Sequence, residues 1–281
     1  NGKYVDAIDG EKFENINPAT GDVLCSVAKC NHKDVDLAVK VSRKAFESGV
    51  WSKTAPEYRK EILLKFAELL RKHGVENSIL ECVDTGKLIN DCLNEVANDT
   101  PMHFQWYAEL IDKTFGKVSA TDPSITSLIV KEPIGVVAAV VPWNFPLMMA
   151  VWKAAPALAA GCSVIIKPAE DPPLSALRIA QIASEAGIPD GVFNVLPGFG
   201  DVGEALGRHN DVDAVSFTGS TEVGGLFMKY SGESNLKTIG LEMGGKSPFL
   251  VLEDAKINDA LIDNAINSAF WNGGQNCSAN M

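Results

Sequence analysis

Four short apolar runs, Val136 to Val141, Ser163 to Ile166, Val192 to Leu196 and Ala214 to Phe217, punctuate the middle of this 281-residue sequence. Each is continuous and rich in β-branched or small apolar residues, the pattern of strands covered on both faces. Helical stretches lie between them. Leu174 to Ala186, for example, is followed by Gly187 and then Pro189, a left-handed cap and a breaker in the order that ends a helix. Strands alternating with helices in this way wind a parallel sheet by right-handed crossovers and place ligands at the carboxyl ends of the strands. The expected fold is therefore α/β, a parallel Rossmann-like sheet flanked by helices. Pro142-Trp143-Asn144, Lys167-Pro168-Ala169-Glu170 and Thr218-Gly219-Ser220 each follow one of these strands, so the three clusters are expected to converge on one crevice.

The flanking regions read as packing elements. Asn17 to Asp22 has turn chemistry between two extended runs; Val35, Ala38, Val39, Ala45 and Phe46 then recur at helical spacing. Ile62, Leu63, Phe66, Leu69 and Leu70 form a second apolar stripe, expected to end at Gly74. From Gly116 to Val130 polar residues alternate with short apolar runs, as in a protruding, half-exposed hairpin.

Composition narrows the function classes. The segment from Ile134 to Ile166 is apolar enough to raise a membrane span, but Pro142, Pro146, Pro156 and Lys153 interrupt it. A formal net charge of -11 disfavours nucleic-acid and anionic-membrane partners. Six irregularly spaced cysteines and four scattered histidines offer neither a disulfide framework nor metal-ligand spacing, so no metal site is expected. With no targeting signal in view, the cytoplasm is the expected compartment and the mitochondrial matrix the reserve.

Four stretches carry chemistry. Gly198-Phe199-Gly200-Asp201-Val202-Gly203 is a Gly-x-Gly-x-x-Gly string between a strand and a helix, but its acidic partner about twenty residues on, Glu222, falls in the next turn-helix unit. A steric turn accounts for it somewhat better than a pyrophosphate loop. Phe217-Thr218-Gly219-Ser220-Thr221-Glu222-Val223-Gly224 opens a helix whose free N–H groups suit a phosphate, with Ser220 equally readable as a plain N-cap. In Leu241-Glu242-Met243-Gly244-Gly245, Glu242 reads as a loop carboxylate, which is usually only solvated. Gly273-Gly274-Gln275-Asn276-Cys277 delivers a cysteine after an apolar helix built on Leu261, Ile262, Ala265, Ile266, Ala269 and Phe270. Such a cysteine is more often inert than nucleophilic.

Taken together and in order, VVPWNFPLMMAVWKAAPALAAGCSVIIKPAE, VSFTGSTEVG, LEMGGKSP and GGQNCSA, with INPATG near the start, resemble the aldehyde dehydrogenase superfamily over essentially the whole chain. The resemblance implies oxidation of a small aldehyde to a carboxylic acid with NAD, NADP being the alternative. Cys277 becomes the nucleophile that forms a thiohemiacetal and then a thioester. Asn144 becomes the oxyanion donor beside the Cys277 N–H, and Glu242 the general base that hydrolyses the thioester. Lys167 and Glu170 would hold the adenosine ribose, Glu170 favouring NAD by repelling a 2′-phosphate. Ser220 would meet the pyrophosphate beside Trp143; Val223 and Gly203 would border the adenine, which reduces the Gly198 to Gly203 string to a supporting loop. Val141, Pro142, Phe217, Thr218, Gly219 and Gly244 complete the implied cofactor site.

By the same resemblance, residues 1–112 and 133–243 form the NAD-binding domain, 113–132 an oligomerisation hairpin of a homodimer or homotetramer, and 244–281 the beginning of a catalytic domain. The chain corresponds to somewhat more than the N-terminal half of a family member, so turnover by these 281 residues alone is not the expectation. Two other readings remain, a non-catalytic relative of the same fold and a CoA-acylating semialdehyde dehydrogenase. Met148, Met149 and Trp152 are candidate substrate contacts that serve equally as core.

Overall fold

The computed structural model describes residues 2–245 and 247–279. A small antiparallel hairpin, β1 (Lys12–Ile16) and β2 (Val23–Ala28), precedes α1 (His32–Ser48). Asn31 caps α1 in a reciprocal capping box with Asp34, and Gly49 ends it in the left-handed conformation. Then come α2 (Pro56–Lys72), α3 (Gly74–Thr85), α4 (Ile89–Asn94), a π-helical turn (Glu95–Asp99) and α5 (Thr100–Leu110). Gly74 does not end the second apolar helix as expected. His73 already closes α2, and Gly74 opens α3, where an added Cβ would stand 2.8 Å from the Ala97 Cβ. Close helix packing explains this glycine.

The protruding hairpin consists of β3 (Lys117–Ser119) and β4 (Ser127–Ile129). After it the chain enters the main sheet: β5 (Val136–Val140), α6 (Pro146–Ala160), β6 (Ser163–Lys167), α7 (Leu174–Ala186), β7 (Phe193–Val195), α8 (Gly200–Arg208), β8 (Ala214–Gly219), α9 (Thr221–Gly232) and β9 (Thr238–Met243). The order is β7-β6-β5-β8-β9 and all four pairings are parallel. Helix α10 (Asp259–Phe270) follows with no buried residue. The four apolar runs thus became β5 to β8. The fifth strand, β9, was not expected; it takes Glu242 out of a loop and into the penultimate position of a strand paired with Thr218.

Alternation along β5 divides the core in two. Val136, Ala138 and Val140 join Val35, Val39, Val202, Phe217 and Phe227 beneath α1, α8 and α9. Ala139 and the following Val141 join Phe66, Phe104, Leu147, Leu158 and Ile179 beneath α2, α5, α6 and α7. Phe66 and Phe104 are fully buried with ring centroids 4.4 Å apart, each contributing roughly 1.5–3 kcal/mol of burial. At the head of β5, Gly135 has φ +135, and an added Cβ would fall 1.8 Å from the Asp213 carboxylate. That carboxylate accepts the Val136 N–H at 2.7 Å and pairs with Arg43, anchoring the strand entry. Among the described residues no helix is long and apolar enough to cross a membrane.

Candidate active site

Strand order reverses at β5, which continues to β6 on one side and to β8 on the other. Diverging connections at such a point leave a crevice above the carboxyl ends of the strands. Here it is a cleft of about 1280 Å³. The end of β5 supplies Val141, Pro142, Trp143 and Asn144; the end of β6 supplies Lys167 and Glu170; the end of β8 supplies Phe217, Thr218, Gly219 and Ser220. Gly203 of α8, Val223 of α9, and Gly244 and Cys277 complete the set. The three expected clusters therefore meet, and every cofactor residue implied by the resemblance lines the same cleft.

Its polar chemistry is uneven. Lys167 is buried to 5% exposure, and its Nζ lies 3.4 Å from Glu170 Oε2. Burial pulls the ammonium below its ordinary value while Glu170 pulls it back. Ser220 caps α9, its Oγ accepting the Val223 N–H at 3.2 Å, so the capping alternative holds. A capping oxygen leaves the serine O–H and the other first-turn N–H groups available to an anion. Thr218 lines the cleft, and its Oγ1 is buried with no hydrogen-bond partner among the described residues. Gly203 keeps the wall low: a methyl there would reach 3.7 Å from the Phe227 ring.

The cysteine loop docks against the opposite end of the cleft. A short helical turn, Trp271–Gly274, follows α10, with Asn272 left-handed at φ 52. Asn272 is 7% exposed, and its Nδ2 donates to Asn144 O at 3.1 Å and to Gln275 O at 3.2 Å. Asn144 Nδ2 reciprocates, donating to Gln275 O at 2.9 Å. An asparagine amide has two N–H donors, so one stays free for a ligand near Cys277. Phe145 packs on Trp271 with centroids 5.2 Å apart. On the other flank, Gly244, the residue after β9, lies beside the cysteine: an added Cβ there would make an ordinary 4.0 Å contact with the Cys277 Cβ.

Glu242 is the exception: it is exposed and does not line the cleft. Strand alternation sets which way it faces. Phe217, Leu241 and Phe227 share the face under α9, so Thr218 and its partner Glu242 point to the α6 face. There Lys153 Nζ meets Ser216 Oγ at 3.2 Å. Burial lowers Lys153 to about 8, with the Glu242 charge opposing the drop. Glu242 thus lies two residues before the glycine that touches Cys277, on the side of the sheet away from Phe217.

Several lining residues had no sequence signal. Asp84 and Thr85, from the end of α3, and Ile16 and Pro18, beside the first hairpin, enter the cleft from more than fifty residues before β5. Asp84 accepts from Asn15 Nδ2 at 2.5 Å and from the Leu174 N–H at 2.8 Å, yet burial still pushes it up to about 6. Asn272 carries no signal in the sequence, because an asparagine before glycines reads as an ordinary turn residue.

The aldehyde dehydrogenase family model matches residues 4–281. Aminoacetaldehyde dehydrogenase of Pseudomonas aeruginosa is 50% identical over 279 residues, 99% of this chain and 56% of that protein. The NADP/NAD-dependent aldehyde dehydrogenase PuuC of Escherichia coli is 46% identical, covering 99% and 57%. Among solved structures, the NAD+ complex of a Bacillus cereus aldehyde dehydrogenase superposes with a TM-score of 0.95 at 42% identity, over 99% of this chain and 56% of that one. The chain spans a little more than half the length of these relatives. Sequence and fold agree: the chain belongs to the aldehyde dehydrogenase family.

Proposed function

We propose that the protein takes part in NAD-dependent oxidation of a small aldehyde to a carboxylic acid, with Cys277 as the nucleophile. The observation that carries this reading is the docking of the cysteine loop: Asn144 Nδ2 bonds Gln275 O at 2.9 Å, and Gly244 abuts the Cys277 Cβ. A thiol and an amide donor are thereby brought together in one cleft, with the Glu242 carboxylate two residues before Gly244.

The cleft suits a dinucleotide. Lys167 and Glu170 would hold the adenosine ribose, the Ser220 end of α9 the pyrophosphate, and Thr218 Oγ1 offers an unsatisfied partner farther toward Cys277. Val223 and Gly203 would flank the adenine, with Val141, Pro142, Trp143, Phe217 and Gly219 shaping the walls. The Glu170 carboxylate favours NAD over NADP. When bound, NAD supplies the hydride acceptor. The remaining work belongs to the chain. Cys277 Sγ attacks the carbonyl carbon as a thiolate, its proton leaving to Glu242 or water. The free Asn144 N–H and the Cys277 N–H stabilise the oxygen where charge accumulates. Glu242 then takes a proton from water as it attacks the thioester, releasing the acid and restoring the thiol.

Pre-steady-state absorbance with a small aldehyde and NAD tests this in the full-length protein. A burst of NADH is expected in wild type and none in Cys277→Ala; free acid should accumulate without added CoA. A Cys277→Ala variant with an undiminished burst sinks the assignment. We also propose that the β3–β4 hairpin, whose Val118, Ile125, Leu128 and Ile129 are all exposed, pairs subunits into a homodimer or homotetramer. Light scattering should show its loss when Leu128 and Ile129 are made Ser.

A further inference from the structure

Beneath the Trp143-Asn144-Phe145 turn lies a charge cluster that the reaction does not touch. Glu81 of α3 is fully buried, and Lys87 and Glu95 are nearly so. Lys87 Nζ lies 2.7 Å from Glu95 Oε2 and 3.5 Å from Glu81 Oε1. The other Glu81 oxygen accepts the Leu147 N–H at 3.1 Å, and Lys87 Nζ stands 4.2 Å from the Phe145 ring centroid. One ammonium cannot neutralise two buried carboxylates; burial accordingly pushes Glu95 up to about 7 and raises Glu81 as well. Replacing buried ion clusters by apolar side chains is often neutral for stability, so stability alone is a weak reason for this one.

What the cluster grips is more informative. Helix α6 starts at Pro146 with no side-chain cap at Phe145. Proline has no N–H, so Leu147 presents the first donor of the helix, and Glu81 reaches across from α3 to accept it where the macrodipole favours negative charge. The Phe145 ring is held between the Lys87 ammonium and Trp271 of the cysteine loop. Both gripped residues lie within three positions of Asn144.

We propose that Glu81, Lys87 and Glu95 are positioning residues for Asn144, fixing the start of α6 and the Phe145 ring so that the amide is presented to Cys277. The proposal rests on the oxyanion role given to Asn144 above. A donor misplaced by about 1 Å can cost roughly 100-fold in rate, so a cluster that sets this turn governs kcat without touching either ligand.

The test is a double-mutant cycle on NADH formation by the full-length protein, combining Lys87→Met with Asn144→Ala. Lys87→Met should lower kcat by about 10- to 100-fold and leave the KM for aldehyde and for NAD within about 3-fold. In the Asn144→Ala background the same change should cost less than about 3-fold, because there is no amide left to misplace. Glu81→Gln, which keeps an acceptor for Leu147, should lose less than Lys87→Met and show the same cancellation; it carries the cycle if Lys87→Met does not fold. Equal losses in both backgrounds, or a wild-type kcat in Lys87→Met, overturn the positioning proposal. A wild-type kcat in Asn144→Ala overturns instead the oxyanion reading beneath it.

Discussion

Replacing Asn272 probes how firmly the cysteine loop is held on the cleft. Its Nδ2 makes two hydrogen bonds that hold the loop closed, one to the Asn144 turn (3.1 Å to Asn144 O) and one within the loop (3.2 Å to Gln275 O). At about 1 kcal/mol net for each bond, Asn272→Gly should destabilise the closed loop by about 2 kcal/mol, about half of it from docking. The backbone at this position is left-handed, φ 52 and ψ 37, where asparagine is tolerated and a Cβ-bearing alanine is strained. Asn272→Ala should therefore cost about 1 kcal/mol more, after allowing for the extra unfolded-state freedom that glycine gives up. Hydrogen–deuterium exchange over 271–279 reads local opening directly. Expected accelerations are about 30-fold for Gly and about 150-fold for Ala, with exchange in β5 and β8 unchanged. Exchange within about 3-fold of wild type in Asn272→Gly, or no difference between the two variants, refutes the reasoning.

Lys153 should give stability a dependence on alkaline pH: its folded value of about 8 lies below the 10.5 of an ordinary lysine, so between the two the unfolded chain binds a proton that the folded chain lacks. Wild type should gain about 3 kcal/mol on Lys153→Met as pH rises through that window, the cost of the buried cation being full below it; a pH-independent difference in urea midpoints contradicts this. Glu170→Gln should shift the ratio of NADP to NAD affinities toward NADP by about tenfold, measured by fluorescence titration, and an unchanged ratio removes Glu170 from cofactor choice. Gly203→Ala should raise the melting temperature, worth up to about 1 kcal/mol of helix propensity, since its methyl meets Phe227 at an ordinary 3.7 Å. The same methyl should weaken dinucleotide binding several-fold, and tighter binding contradicts the placement of Gly203 in the cleft wall.

Much of the frame was legible because buried parallel strands announce themselves. Val136 to Val141 and Ser163 to Ile166 are apolar on both faces, and the structure pairs them in register, Val136 with Ser163 and Val140 with Lys167. β9 escaped notice for the opposite reason. Its burial alternates, Thr238, Gly240, Glu242 and Met243 being exposed, and Gly240 interrupts the run, so nothing in its composition outweighed a loop. Residues reaching the cleft from α3 and from the first hairpin were illegible on other grounds: Asp84 and Pro18 are ordinary helix-end and turn residues until the chain folds back over the sheet. The cofactor cluster after β8 was readable because a strand end, a glycine and an N-cap follow one another in five residues.

The position of Glu242 follows from the strand that was missed. Successive residues of β8 and β9 face opposite sides, so Phe217, Leu241 and Phe227 close the α9 side while Ser216, Thr218 and Glu242 face α6. The cleft is lined by Phe217 and Phe227 of the first set and by Thr218 of the second. Lys153 of α6 belongs to the second side, while Asn144, just before that helix, lines the cleft. Cys277 lines the cleft beside Gly244, the residue after β9. The period of two along β9 therefore decides that Glu242 faces α6, where its charge opposes the burial that depresses Lys153, and a one-residue shift in that strand would turn the carboxylate toward α9 instead.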